Sequence, residues 1–501
     1  MAAAVNATDT TEGLTREQII AAGTPLRRLY IEAAPGSGKT TVAAQRFGIQ
    51  RFRSADDQRA VIAVSFTRSA TAELRDRVLS QWGPVALAWP HRIVTLDTLV
   101  CELLTHLLHT GHVQWPGGRR ELTVIDHWRV CLDTSWTRRE PVVTLDGHQV
   151  VTRTTTRPRH EGRPTTAAVN QALAEGLCTH QDARHLLGTA LTDPNIHDVL
   201  RSYLTSTARA LIVDEIFDAN ALDLTLVRLA ASAKLDVTVV GDPWQALYGF
   251  RGAQPDQVPA LITQAGFIQR DLRTSFRWKS TGQQLLADQL RQGNGVALSQ
   301  GHAADTDVLL ALQWSHLWDA GPQILPLAYN SSTGQPQEAA CTLLLSELTQ
   351  RTFGDHATFH NDALTTLGID HQTLQRLQPR LSALLDDLSG TKELDAILTG
   401  LTATIKEETG RQLPRRHATH ITRLKLLRAR LQAPGRRLVP GLTAHQAKGR
   451  EWDHVGVRLT SAERGSLRQG LNPNNEDHRK LYVALTRARY MTTALQAGTS
   501  Y

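Results

Sequence analysis

Residues 29–42 read LYIEAAPGSGKTTV: a short apolar strand, a turn of Pro, Gly and Ser, then Lys39-Thr40-Thr41 opening a helical run. Parts in that order build a phosphate-binding loop. Gly36 and Gly38 let the backbone curl so that its N–H groups face an anion. Lys39 reaches the terminal phosphates, the Thr40 hydroxyl can ligate Mg²⁺, and the helix that starts there turns its positive end toward the same charge. The spacing G-x-x-x-x-G-K-[ST] asks for glycine at 33, where this chain has Ala33, and a small residue suffices. Ala33, Pro35, Gly36, Ser37, Gly38, Lys39, Thr40 and Thr41 are therefore candidate nucleotide-binding residues.

A second stretch completes the first. ALIVDEIFDAN, residues 210–220, runs an apolar strand straight into two adjacent acids. Acids at the tip of a buried strand need water or a cation. Beside a phosphate loop, Asp214 reads as a Mg²⁺ ligand with Thr40, and Glu215 as the group that orients and deprotonates an attacking water.

Composition sets the frame. A chain of 501 residues has room for two to four domains, and 41% hydrophobic with 21% charged residues describes an ordinary globular protein. No window approaches the ~18 apolar residues that span a bilayer, so no membrane is expected. The start, MAAAVNATDTTEG, lacks a basic segment followed by an apolar one, which argues against a secretory signal. Cys101, Cys131, Cys178 and Cys341 lie far apart, suggesting neither disulfides nor zinc, and a reducing cytoplasm fits. Cys178-Thr179-His180 is too isolated for a ligand pair and reads as structural. A net charge of +7 is compatible with nucleic acid as partner. Strands alternating with helices predict an α/β fold with parallel sheets.

Six further stretches follow in an order that resembles the superfamily 1A DNA helicases, the UvrD/Rep/PcrA-like group. LTREQ (14–18) resembles the adenine-reading segment, with Gln18 in the reading position, and VSFTRSATAELRDRV (64–78) resembles motif Ia. VVGDPWQALYGFRGA (239–253) resembles motif III and LRTSFR (272–277) motif IV; LTAHQAKGREWDHV (442–455) and EDHRKLYVALTRAR (476–489) resemble motifs V and VI. The resemblance implies two RecA-like motor domains with ATP and Mg²⁺ in the cleft between them. It implies that Arg277 and Arg487 are arginine fingers, that Gln245 senses the γ-phosphate, that Phe276 stacks on adenine, and that Gly449 and Glu451 stand near the nucleotide. For DNA it implies base stacking on Phe66, Tyr248 and Phe250, with Thr67, Arg68, Arg251 and His445 near the backbone.

Three positions depart from the family pattern. Phe217 replaces a Gln that takes part in coupling ATP state to the motor, which leaves hydrolysis intact and coupling in doubt. Asp97 replaces a His, and an acid there would weaken a DNA phosphate contact; Arg450 adds a cation beside Lys448. These changes suggest a divergent branch.

Motif spacing divides the chain into a first RecA-like domain (1–95 and 206–274) with an insertion at 96–205, and a second (275–345 and 437–501) with a short helical insertion at 346–436. Both insertions are expected to be mainly helical. Within the first, VTRTTTRPRHEGRPTT (151–166) reads as a mobile basic loop able to touch phosphates. The sequence stops just after motif VI, so no appended nuclease is expected. The expected activity is ATP-driven translocation on single-stranded or partly duplex DNA, 3′→5′ by resemblance. One alternative is a DNA-stimulated ATPase subunit of a larger assembly with a nuclease or other protein partner, such as a Gabija-like anti-phage system. The other is a nucleotide-switched DNA-binding module with little hydrolysis.

Overall fold

The computed structural model describes residues 10–11, 13–54, 56–330, 335–413, 417–433 and 437–495. Most of the opening segment read for a leader, and the last residues after motif VI, lie outside these. The chain divides into two units, Met1–Phe276 and Arg277–Tyr501.

In the first unit β1 (Thr10–Thr11) and β2 (Leu14–Thr15) form a small antiparallel pair. The central sheet begins with β3 (Arg28–Ala33), β4 (Ala60–Ser65) and β5 (Arg92–Thr95). The insertion contributes β6 (Thr123–Ile125), β7 (Ser135–Asp146), β8 (Gln149–Arg163) and β9 (Leu177–Thr179). The sheet then resumes with β10 (Ala208–Val213), β11 (Asp236–Gly241) and β12 (Ile268–Leu272). Its strand order is β12-β3-β11-β10-β4-β5, every pair parallel.

Helices cover both faces, so inner strands read as apolar runs rather than alternations. Every residue of β4, β10 and β11 is buried. Alternate side chains enter different cores: Leu29, Ile31, Val61 and Ala63 pack with Val42, Phe47 and Leu74, whereas Tyr30, Ile62 and Val64 pack with the leucines of the helix Leu96–His109.

The stretch expected as a mobile basic loop is instead mostly strand β8, paired antiparallel with β7 from Val150 opposite Leu145 outward. Gly147, at φ 59°, opens the two-residue loop between the strands, and Val143 and Val150 are buried beneath it. Threonine is β-branched and favours strands, and two of the arginines are engaged: Arg157 pairs with Glu140, and Arg153 lies 3.6 Å from Asp146. The insertion also holds the helices Leu96–His109, Thr166–Ala174, His180–Ala190 and Pro194–Thr207.

The second unit builds another parallel sheet from β13 (Gln300–Gly301), β14 (Val308–Ala311), β15 (Ile324–Pro326), β16 (Val439–Thr443), β17 (Trp452–Val457) and β18 (Ala488–Leu495). Its order is β13-β18-β17-β14-β16-β15. Between β15 and β16 the helices Pro336–Phe353, His360–Leu367, His371–Ser389, Leu394–Thr409 and His417–Leu431 pack around a leucine-rich core. The helix Pro336–Phe353 runs through the expected break at 346, because Ala339–Leu345 is buried along its length. The architecture is thus α/β with two parallel RecA-like sheets. Among the described residues no helix is long and apolar enough to cross a membrane.

Candidate functional site

The glycine-rich turn leaves β3 and enters the helix Lys39–Phe52 through Gly36 (φ 72°) and Gly38 (φ 81°). Gly38 is fixed twice, since a Cβ there would also fall 2.5 Å from Gln18 Nε2. Gln18 is buried and anchored: Nε2 donates to Ser37 O at 2.9 Å, and Oε1 accepts from Thr15 N at 2.9 Å in a capping box. The residue expected to read adenine therefore also braces the loop.

Motif IV is tied to the same turn. Ala34 N donates to Leu272 O at 2.9 Å, Ser275 Oγ to Pro35 O at 2.7 Å, and Phe276 N to Gly36 O at 2.9 Å. Phe276, 45% exposed, thus stands beside the loop with its ring accessible. Ala33 and Ser37 are buried, and Thr41 Oγ1 accepts from Arg77 Nη1 at 2.8 Å.

The paired acids stand at the end of β10. Asp214 N donates to Val64 O at 3.0 Å, which continues the strand pairing, and Glu215 N turns back to Asp214 Oδ1 at 3.0 Å. Glu215 takes φ 59°, a left-handed conformation that costs a non-glycine residue on the order of 1 kcal/mol or more. That turn leaves Glu215 Oε1 3.7 Å from Lys39 Nζ. Asp214 is buried, and burial first, then the charge of Glu215, pushes its carboxyl up to about 7 against the opposing pull of Lys39. A buried acid so disposed suits a hard cation. Among the described residues no group of three or more His, Cys, Asp or Glu could hold a metal, so Mg²⁺ here would draw its ligands beyond Asp214 and Thr40 from phosphate and water, as that ion commonly does.

Gln245 is buried in the turn after β11, where its Nε2 donates to Asp242 Oδ2 at 2.6 Å. Phe217 faces inward, edge-on to Tyr30 with ring centroids 6.3 Å apart. The departure from the family pattern is a core residue here.

Phe66, Thr67, Arg68 and Arg251 line one groove of about 980 Å³. Tyr248 and Phe250 adjoin it through Arg251, whose guanidinium lies 5.2 Å and 5.5 Å from their ring centres. Phe250 is 66% exposed, which a base-stacking ring requires. Asp97 also lines the groove, but its charge is engaged by Arg184 at 2.6 Å, so it is not the unopposed acid that the sequence suggested.

The remaining candidates belong to the second unit. Arg277 meets Glu451, and Trp452 N donates to Arg487 O at 3.2 Å, so motifs IV, V and VI converge. Arg487 is fully buried with Nε donating to Val483 O at 2.9 Å. Gly449 takes φ 84°, which favours glycine, and His445 sits half-buried on the short helix Ala444–Ala447.

Comparison with known proteins agrees with this arrangement. The AAA domain family matches residues 16–251, and the UvrD-like helicase C-terminal domain family matches residues 374–494. DNA helicase II of Salmonella typhimurium is 27% identical over 303 residues, covering 55% of this chain and 40% of that protein. By these matches the chain resembles the UvrD/Rep-like superfamily 1 helicases.

Two further proteins match over shorter spans. ATP-dependent DNA helicase PcrA of Leuconostoc citreum is 26% identical over 271 residues, 50% of this chain and 35% of that protein. An ATP-dependent helicase/nuclease subunit of Lactobacillus delbrueckii subsp. bulgaricus is 37% identical over 95 residues, 19% of this chain and 8% of that protein. The chain thus spans less than half the length of these relatives.

Among the lining residues of the groove that the sequence did not single out are Asp126 and His180, both brought there by the insertion. Neither lies in a motif. The parallel pairing of β6 with β9, which delivers both, leaves no local signature.

Proposed function

We propose that this chain is a Mg²⁺- and ATP-dependent translocase on single-stranded DNA that separates duplexes with 3′→5′ polarity. The observation that carries this reading is the 3.7 Å approach of Lys39 Nζ and Glu215 Oε1 at the mouth of the glycine-rich turn, with Asp214 buried behind them. The N–H groups of the turn and Lys39 hold the phosphates. Thr40 and Asp214 would hold Mg²⁺, which would supply charge neutralisation at the phosphate oxygens. Glu215 takes the proton of the attacking water, and Asp242 keeps the Gln245 amide aimed. Arg277 and Arg487, planar and permanently charged, suit the γ-phosphate role that the resemblance gives them.

The test is the steady-state ATPase rate with and without single-stranded DNA, for wild type and Glu215→Gln. Stimulation by DNA that the substitution abolishes supports a coupled motor. A wild-type protein that hydrolyses no ATP in the presence of Mg²⁺ and DNA overturns the reading.

A second reading, an ATPase subunit working with a nuclease, draws on the likeness to a protein named as a helicase/nuclease subunit. Weak unwinding by the chain alone, restored by a co-purifying nuclease, would favour it.

A further inference from the structure

Three acids line the groove beside Phe66, Asp76, Asp97 and Asp126, and the last two differ in standing. Asp97 belongs to a closed network: Arg184 holds it at 2.6 Å and also grips the buried Asp223. Asp126 does not. Its side chain is 51% exposed, and its Oδ1 lies 2.6 Å from Nη2 of Arg68, whose side chain is 77% exposed.

The fold places this pair deliberately. β6 and β9 run parallel with Ile125 opposite Thr179, so the residues that follow, Asp126 and His180, leave the two strand ends side by side. His180 Nε2 stands 3.8 Å from the same Asp126 oxygen. The insertion thereby holds a carboxylate against the first residue of the helix Arg68–Trp82, in the segment that resembles motif Ia. So exposed an ion pair is weak and exchanges readily for a better anion.

We propose that Asp126 is a built-in competitor for polynucleotide phosphate at Arg68. It occupies the guanidinium in the absence of nucleic acid and yields it when a phosphate arrives. The inference rests on the groove being the single-stranded DNA site. Its thermodynamic consequence is specific: a phosphate that displaces Asp126 leaves that carboxylate to take up a cation. The net release of cations is then smaller than the number of groove cations implies, and binding responds less steeply to salt.

The experiment measures binding of a fluorescein-labelled oligo-dT across a series of NaCl concentrations, for the full chain as wild type, Asp126→Asn, Arg68→Ala and the double variant. Asp126→Asn is expected to tighten binding roughly two- to fivefold at low salt and to steepen the slope of log K against log[NaCl] by up to about 0.7. In the Arg68→Ala background that gain should vanish. An equal gain with Arg68 absent would show that Asp126 acts by general repulsion and overturn the proposal, as would an unchanged Asp126→Asn. Failure of every form to bind oligo-dT would instead remove the groove reading on which the proposal stands. Asp126→Ser serves as a second variant if the amide perturbs folding.

Discussion

Arg277 Nε lies 3.0 Å from Glu451 Oε2, while Arg277 Nη1 donates to the Thr486 carbonyl at 3.2 Å. Two acceptors from separate elements fix the plane of the guanidinium, which matters for a group whose value is its rigid fork. Glu451, expected beside the nucleotide, here holds an arginine in place. We predict that Glu451→Gln lowers kcat about tenfold with little change in the KM for ATP, as loss of orientation should. Arg277→Lys should cost about a thousandfold. A raised KM with kcat intact in Glu451→Gln would return the residue to the nucleotide.

Phe217 packs so closely that a Cβ on Gly241 would fall 2.8 Å from its Cδ2 and 2.9 Å from Ile216 Cγ2. Restoring the family residue, Phe217→Gln, should therefore destabilise the protein by about 3 kcal/mol in urea unfolding, from lost packing and a buried amide. Gly241→Ala should also destabilise, and Phe217→Leu should relieve part of that loss. A Phe217→Gln protein as stable as wild type, with stronger DNA stimulation, would mark Phe217 as a coupling defect instead.

The Arg184 network predicts an asymmetry. Asp223 is buried, so Asp223→Ala leaves Arg184 with Asp97 alone, removes the acceptor of Asn220 N, and should cost about 3 kcal/mol. Asp97 is 37% exposed, and Asp97→Ala should cost under about 1 kcal/mol. Equal losses in denaturant midpoints would contradict this division.

His91 Nδ1 accepts the Val61 N–H at 3.0 Å, so the ring is neutral there. Burial, then the charges of Arg51, Arg209 and Arg92, pushes it down to about 4 from its ordinary 6.5. The unfolded chain thus binds a proton that the folded one refuses as pH falls from 6.5 to 4. In that window stability drops by at most about 1.4 kcal/mol per pH unit on this account. His91→Asn, which keeps an acceptor, should flatten the difference between melts at pH 7 and pH 5. Parallel pH profiles for the two proteins would refute the assignment.

What the sequence disclosed was what local chemistry dictates. The turn through Gly36 and Gly38 and the acids closing an apolar strand each act within a few positions. The β7–β8 hairpin was also local, announced by Asp146-Gly147, but its Thr/Arg composition read as a solvated loop. Arg68 with Asp126, 58 positions apart, and Arg277 with Glu451, 174 apart, had no such signal. Only the strand pairing brings them together.

The phosphate loop hangs from β3, whose partners among the described residues are β11 and β12. On a ribosome adding ~5–20 residues per second, β3 therefore waits on the order of ten seconds or more for either neighbour to be made. Until residue 276 has emerged, the backbone bonds that pin Ala34 and Gly36 to Leu272 and Phe276 cannot form. The nascent chain thus carries its nucleotide-binding segment early but acquires a braced loop late. Its insertion is fully synthesised before then, so that region has the opportunity to fold before the machinery that would drive it.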